Sequence, residues 1–175
     1  DYYGASLHKW LSVPLGAGIL YVKKENINKL WPTFAPWNDN PGDIKKLNHT
    51  GTHPVHTDLA IQDAIDYYLA IGPLKKEERL RYLQKYWSDK VRNIKGIILN
   101  TPKDSNRSCG LANVGIEKMT PADMAKTLFD KYKIWTVAID GQGVRGCRIT
   151  PNIYTNLAEL DILVSALQEM NAVKK

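Results

Sequence analysis

The sequence predicts an α/β chain in two parts: the end of a larger α/β domain over residues 1–72, then a small α+β carboxy-terminal domain over residues 73–175. Three observations predict it. Past Gly72-Pro73 the apolar periodicity runs helix, strand, strand, helix, strand, strand, helix, enough for one sheet covered by helices. Before Gly72 there are two strand signals and one long helix, and two strands with a helix do not make a stable sheet. Gly72-Pro73 itself is a helix-stop signal. The first part therefore reads as the tail of a domain that begins upstream.

The elements follow in order. Asp1 to Trp10 reads as a strand end running into a turn, aromatic first and then small and polar. Gly16 to Val22, opened by glycines and closed by Lys23-Lys24, predicts a buried strand. Asn26 to Trp31 fits a short helix, and Pro32 to Asp43, rich in Pro, Asn, Asp and Gly, must be loop. After a Gly51-Thr52 turn, Leu59, Ile61, Ala64, Ile65, Tyr68 and Leu69 space a helix over 57–71. Leu80, Leu83, Tyr86, Trp87 and Val91 put one apolar face on a charged helix over 75–91. Strands are expected at 96–99 and 109–116. Thr120-Pro121-Ala122-Asp123 carries a capping Thr, Pro at the first helical position and an acid in the first turn, and starts a helix to about Lys131. Two short strands, 134–139 and 146–150, precede a last helix over 156–170.

Composition narrows the function classes. Hydrophobic residues make up 43% and charged residues 24%, as in a soluble globular protein. The net charge of +6 comes from Lys and Arg spread along the chain, without a basic tract. That pattern is a solvated basic surface and not a nucleic-acid interface, and the aromatic residues fall on apolar faces instead of alternating with basic ones. No run reaches the roughly 18 apolar residues of a membrane span. Cys109 and Cys147 have no metal-ligand spacing and are expected as two buried free thiols. His49, His53 and His56 are joined by no Cys or carboxylate at regular spacing, so no metal is expected.

Lys9 stands between His8 and Trp10, flanked by Leu7 and Leu11. Burial in such company would strip its hydration and favour the neutral amine, the form that attacks a carbonyl. Ser6 and His8 lie three and one positions ahead, where a turn can aim both side chains and the amine at one ligand. A surface lysine with a packed stem is the structural alternative.

The run Asp1-Tyr2-Tyr3-Gly4-Ala5-Ser6-Leu7-His8-Lys9-Trp10-Leu11, followed by Pro14-x-Gly16-x-Gly18-x-Leu20-Tyr21-Val22, resembles the cofactor-lysine signature of class V aminotransferases. That family includes cysteine desulfurases, isopenicillin N epimerase-like proteins and kynureninase, and the His-Lys-Trp-Leu wording is most similar to the epimerase-like branch. Gly51-Thr52-x-Pro54-Val55-His56 is similar to the family's Gly-Thr segment. Arg148-Ile149-Thr150 followed by Tyr154-Thr155-Asn156 is similar to its carboxy-terminal pattern. The resemblance covers the whole chain but only the later portion of a family member.

The resemblance implies a fold-type-I enzyme that uses pyridoxal 5'-phosphate on an amino acid or amino-acid-like substrate and assembles as a homodimer, here expected in the cytoplasm. Lys9 would be the Schiff-base lysine and the group that moves the Cα proton. Ser6 and His8 would hydrogen-bond the cofactor phosphate, and Thr52 the phosphate of the neighbouring subunit's cofactor. Arg148 would bind the substrate α-carboxylate with two parallel hydrogen bonds. Each has a structural alternative: Ser6 holding the turn, His8 a satisfied core histidine, Thr52 part of a helix start, Arg148 an ion-pair partner. The family's pyridine-pairing Asp, ring-stacking residue and further phosphate contacts fall upstream of the matched region. Asp1 is not at the pyridine-pairing position, so the chain alone is expected to be inactive. A desulfurase is disfavoured because Cys109 and Cys147 both fall in predicted strands. The remaining alternative is a non-catalytic fold relic or dimerisation module.

Overall fold

The computed structural model of the chain describes residues 1–34, 40–48, 51–52 and 54–173. It divides into two compact units, Asp1–Gly72 and Pro73–Lys175.

In the first unit, β1 (Tyr2–Ser6) and β2 (Gly18–Val22) form an antiparallel ribbon in register from Tyr2↔Val22 to Ser6↔Gly18. The strand at β2 was expected to be buried, and it is not. Tyr2, Tyr3, Ile19, Leu20 and Tyr21 are all exposed, and of β2 only Val22 is buried. Among the described residues of this unit the ribbon has no third strand, and two strands alone cover little of either face. The short helix expected at 26–31 is a 3-10 turn at Lys24–Lys29, and a second follows at Ile44–Leu47. Lys46 ties the two together. Its buried ammonium donates to the carbonyls of Ile27 and Pro41, both at 2.7 Å. Helix α1 (Val55–Ile71) follows, and Gly72 at φ 92° ends it, its N–H bonding Tyr68 O. A left-handed residue at this point is why glycine stops the helix.

The second unit opens with α2 (Pro73–Val91) and continues β3 (Ile97–Leu99), β4 (Ala112–Ile116), α3 (Pro121–Tyr132), β5 (Val137–Gly141), β6 (Val144–Ile149) and α4 (Leu157–Ala172). The four strands make one antiparallel sheet in the order β3-β4-β6-β5. The helices share one core with a single face of it. Leu83, Trp87 and Val91 come from α2, Met124 and Leu128 from α3, and Leu160, Leu163, Val164 and Leu167 from α4; they meet Ala112, Val114, Ile116, Cys147 and Ile149. Period-two alternation explains the strand contribution: Ala112, Val114 and Ile116 point in, while Asn113 and Gly115 point out.

Helix starts match the capping signals. The Thr120 side chain accepts from the Asp123 amide, and Asn156 with Glu159 forms a reciprocal capping box. Two strands are shorter than expected. Lys133 adopts a left-handed conformation (φ 59°) and Ile134 N–H turns back to Leu128 O, so residues 134–136 close α3 and β5 starts only at Val137. Residues 109–111 are not strand either. Arg81 on α2 donates to the carbonyls of Ser105 and Ser108, and Gly110 lies so close to Leu80 that a Cβ there would come within 2.9 Å of Leu80 Cβ. This stretch is drawn onto the helix and away from the sheet. β5 and β6 join through Gln142-Gly143, both at positive φ, the turn whose twist suits a tight hairpin.

Replacing Lys46 with Met would strand two carbonyls in a dry site. We expect Lys46→Met to lower unfolding free energy by about 2 kcal/mol, measured by urea denaturation.

Candidate active site

The segment that carries Lys9 is a closed turn built on the end of the ribbon. Leu7 N–H bonds Ala17 O, Val13 N–H returns to Leu7 O, and Ser12 N–H bonds Lys9 O with Ser12 at φ 66°. Apolar side chains fix it from below. Val13 and Ala17 are buried with Ala64 of α1, and Leu7, Leu11 and Ile61 pack against them. Leu7, Leu11 and Val13 pack into this small core, while Lys9 and Ser12 between them are exposed.

Lys9 is exposed, contrary to the burial expected from its apolar neighbours. The reason is local: the flanking leucines turn toward α1 and carry the lysine to the opposite side of the turn. Ser6, the last residue of β1, is exposed as well. His8 is half-buried, and its Nδ1 is shielded from solvent with no hydrogen-bond partner among the described residues. Buried polar atoms are nearly always paired, so this nitrogen is not the satisfied core histidine of the structural alternative. Ser6, His8 and Lys9 thus share one turn. Thr52 lies exposed in the same unit, ahead of α1; the residue capping that helix is Pro54, so Thr52 does not start it.

Arg148 belongs to the second unit, on β6, where it pairs with Asn113 of β4 and Val137 of β5. It is exposed and, among the described residues, has no ion pair or side-chain hydrogen bond, which removes the structural ion-pair alternative. A guanidinium left without an acid is available for an anionic ligand.

The cysteines divide. Cys147 is buried, its thiol donating to Pro121 O at 3.5 Å, and burial pushes the thiol up from its ordinary value. Cys109 is exposed. It lies on the irregular connection between β3 and β4, not in the strand that the sequence suggested, so two buried thiols was wrong for one of them. Sequence reasoning also passed over Asn113, a lone amide in an otherwise apolar strand; that polar break was the available signal. Of the three histidines weighed for a metal, His49 and His53 lie outside the described residues. No group of three or more His, Cys, Asp or Glu side chains gathers among the described residues. No helix among them is long and apolar enough to cross a membrane.

The chain belongs to the aminotransferase class-V family, whose sequence profile matches residues 1–161. The family uses pyridoxal phosphate. The chain is 26% identical to isopenicillin N epimerase of Amycolatopsis lactamdurans, over 98% of this chain and 47% of that protein. It therefore spans about half the length of the curated relatives it matches. Among solved structures, the apo cysteine desulfurase from Thermococcus onnurineus NA1 superposes with a TM-score of 0.80 at 19% identity, covering 97% of this chain and 46% of that one. A lysine-to-alanine variant of C-DES with glycine covalently linked to its pyridoxal-phosphate cofactor superposes with a TM-score of 0.79 at 16% identity, covering 95% and 45%. These two likenesses establish the fold.

The contrast between the cysteines gives a direct check. At pH 7–8 a thiol reagent should modify Cys109 in the native protein within minutes and leave Cys147 unmodified until denaturant is added, as read by peptide mass spectrometry.

Proposed function

We propose that the chain is the carboxy-terminal portion of a pyridoxal-phosphate-dependent enzyme of epimerase or aminotransferase type, acting on an amino acid or amino-acid-like substrate through Lys9. The observation that carries the reading is the turn itself: an exposed lysine next to His8, whose buried Nδ1 has no partner among the described residues. In this reading Asp1–Gly72 ends the large cofactor-binding domain and Pro73–Lys175 is the small domain.

The residues fit the cofactor. Lys9 would attach it covalently, and Ser6 and His8 would hydrogen-bond its phosphate, His8 Nδ1 gaining the partner it lacks. Thr52 would reach the phosphate of a neighbouring subunit's cofactor in a homodimer. When bound, pyridoxal phosphate supplies the electron sink that makes the substrate Cα acidic. Lys9 would then be the group that takes and returns the Cα proton. Arg148 would receive the α-carboxylate with two parallel hydrogen bonds. Because the groups that pair with the pyridine ring are not in this chain, the chain alone binds the cofactor weakly; a tight stoichiometric complex in the isolated chain would contradict this.

One observation favours a second reading. Cys109 is exposed on an irregular segment, as a sulfur-accepting nucleophile must be. If the enzyme is a cysteine desulfurase or C–S lyase that uses this thiol, sulfide release from cysteine by the full-length protein will be lost in Cys109→Ser. Unchanged release excludes that role.

The main reading is tested by covalent mapping. The full-length protein is treated with pyridoxal phosphate, reduced with borohydride, digested and analysed by mass spectrometry. The adduct is expected on Lys9 alone. Lys9→Ala should remove it and lower turnover by about 10²-fold or more. No adduct, or adducts scattered over surface lysines, would favour a non-catalytic dimerisation module instead.

A further inference from the structure

We propose that Asn113 is a second anchor for the carboxylate that Arg148 receives, so that the substrate acid is held by one guanidinium and one carboxamide on the open face of the small sheet. The inference rests on the reading of Arg148 given above.

The strand register puts the two side chains together. Asn113 lies directly across from Arg148 in the β4–β6 pair, and residues opposite one another on antiparallel strands share a face. Their neighbours Ala112, Val114, Cys147 and Ile149 point into the helix-covered core, so Asn113 and Arg148 stand on the opposite face.

The Asn113 carboxamide is held in one orientation. Its oxygen accepts from Asn100 Nδ2 at 2.7 Å, and the same nitrogen donates to Arg145 O at 2.9 Å. The Asn113 backbone is bound on both sides, its N–H donating to Thr101 Oγ1 at 2.9 Å and its carbonyl accepting from Asn100 N–H at 3.0 Å. Gly146 makes the space: a Cβ there would come within 2.5 Å of Asn113 Oδ1. With the oxygen engaged, Nδ2 is the free end, and it is buried with no acceptor among the described residues. A rigid buried donor without an acceptor costs stability unless something completes it.

Beside it is a guanidinium with no acid. Two adjacent donor groups lacking an acceptor call for one ligand with two acceptor atoms and negative charge, which describes a carboxylate. Arg148 itself is exposed, so an acid arriving from solvent meets the guanidinium first.

The test compares ligands with and without the acid. The full-length protein loaded with pyridoxal phosphate is titrated with glycine and L-alanine, and with glycinamide and L-alaninamide, following cofactor absorbance. Wild type should prefer each acid over its amide, and Arg148→Ala should lose that preference. Asn113→Ala and Asn113→Asp should weaken binding of the acids by about tenfold or more while leaving the amides within about twofold. The Asp variant keeps the shape and the Asn100 bond but replaces the donor with an acceptor. If Arg148→Ala loses the preference and the Asn113 variants weaken acids and amides alike, or neither, Asn113 is only structural and the proposal fails while Arg148 stands. If Arg148→Ala keeps the preference, or wild type has none, the reading of Arg148 fails and this proposal with it.

Discussion

The close approach of β4 and β6 is the constraint on which the second unit depends. A Cβ at Gly115 would sit 2.6 Å from Arg145 O, and one at Gly146 would sit 2.4 Å from Val114 O. Side chains at either position would force the strands apart. With both absent, Val114 and Cys147 meet at the core side of the pair and Asn113 meets Arg148 on the other. Core packing and the polar Asn113–Arg148 pairing are thus two faces of one strand pair. Because successive residues alternate faces, a slip of one residue would turn Arg148 into the apolar core and Cys147 out of it.

The first unit solves a different problem with fewer residues. Its lysine must be presented on a turn that does not wander, yet the unit has only a small core of Val13, Ala17 and Ala64 to work with. The turn is therefore held twice, by backbone hydrogen bonds from Leu7, Ser12 and Val13 and by leucines directed at α1. The buried Lys46 plays a similar stabilising part, joining its own 3-10 turn to Ile27 O of the earlier one and to Pro41 O.

What carried the family from sequence was local and dense. Ser6, His8 and Lys9 fall within four residues, and the strand that follows is marked by Gly16 and Gly18; spacing alone can express such a motif. The cap at Thr120 was legible for the same reason, since a side chain bonding an amide three residues on is written in a short stretch of sequence. Burial was not legible in that way. Lys9 looked buried because it is surrounded by apolar residues along the chain, but neighbours in sequence can point to the other side of a turn. Cys109 looked like the first residue of a strand because its neighbours are apolar and small, whereas Arg81, more than twenty residues upstream, holds that segment against a helix.

The sequence by itself determined the order of elements and the family, because periodicity, capping and a contiguous motif are properties of nearby residues. Only the tertiary structure decided that β2 is exposed, that one cysteine is accessible and the other is not, that His8 keeps a nitrogen without a partner, and that Asn113 stands across from Arg148. These depend on strand register and on hydrogen bonds between residues distant in the chain. No local pattern specifies either one, because each exists only once the backbone has closed on itself.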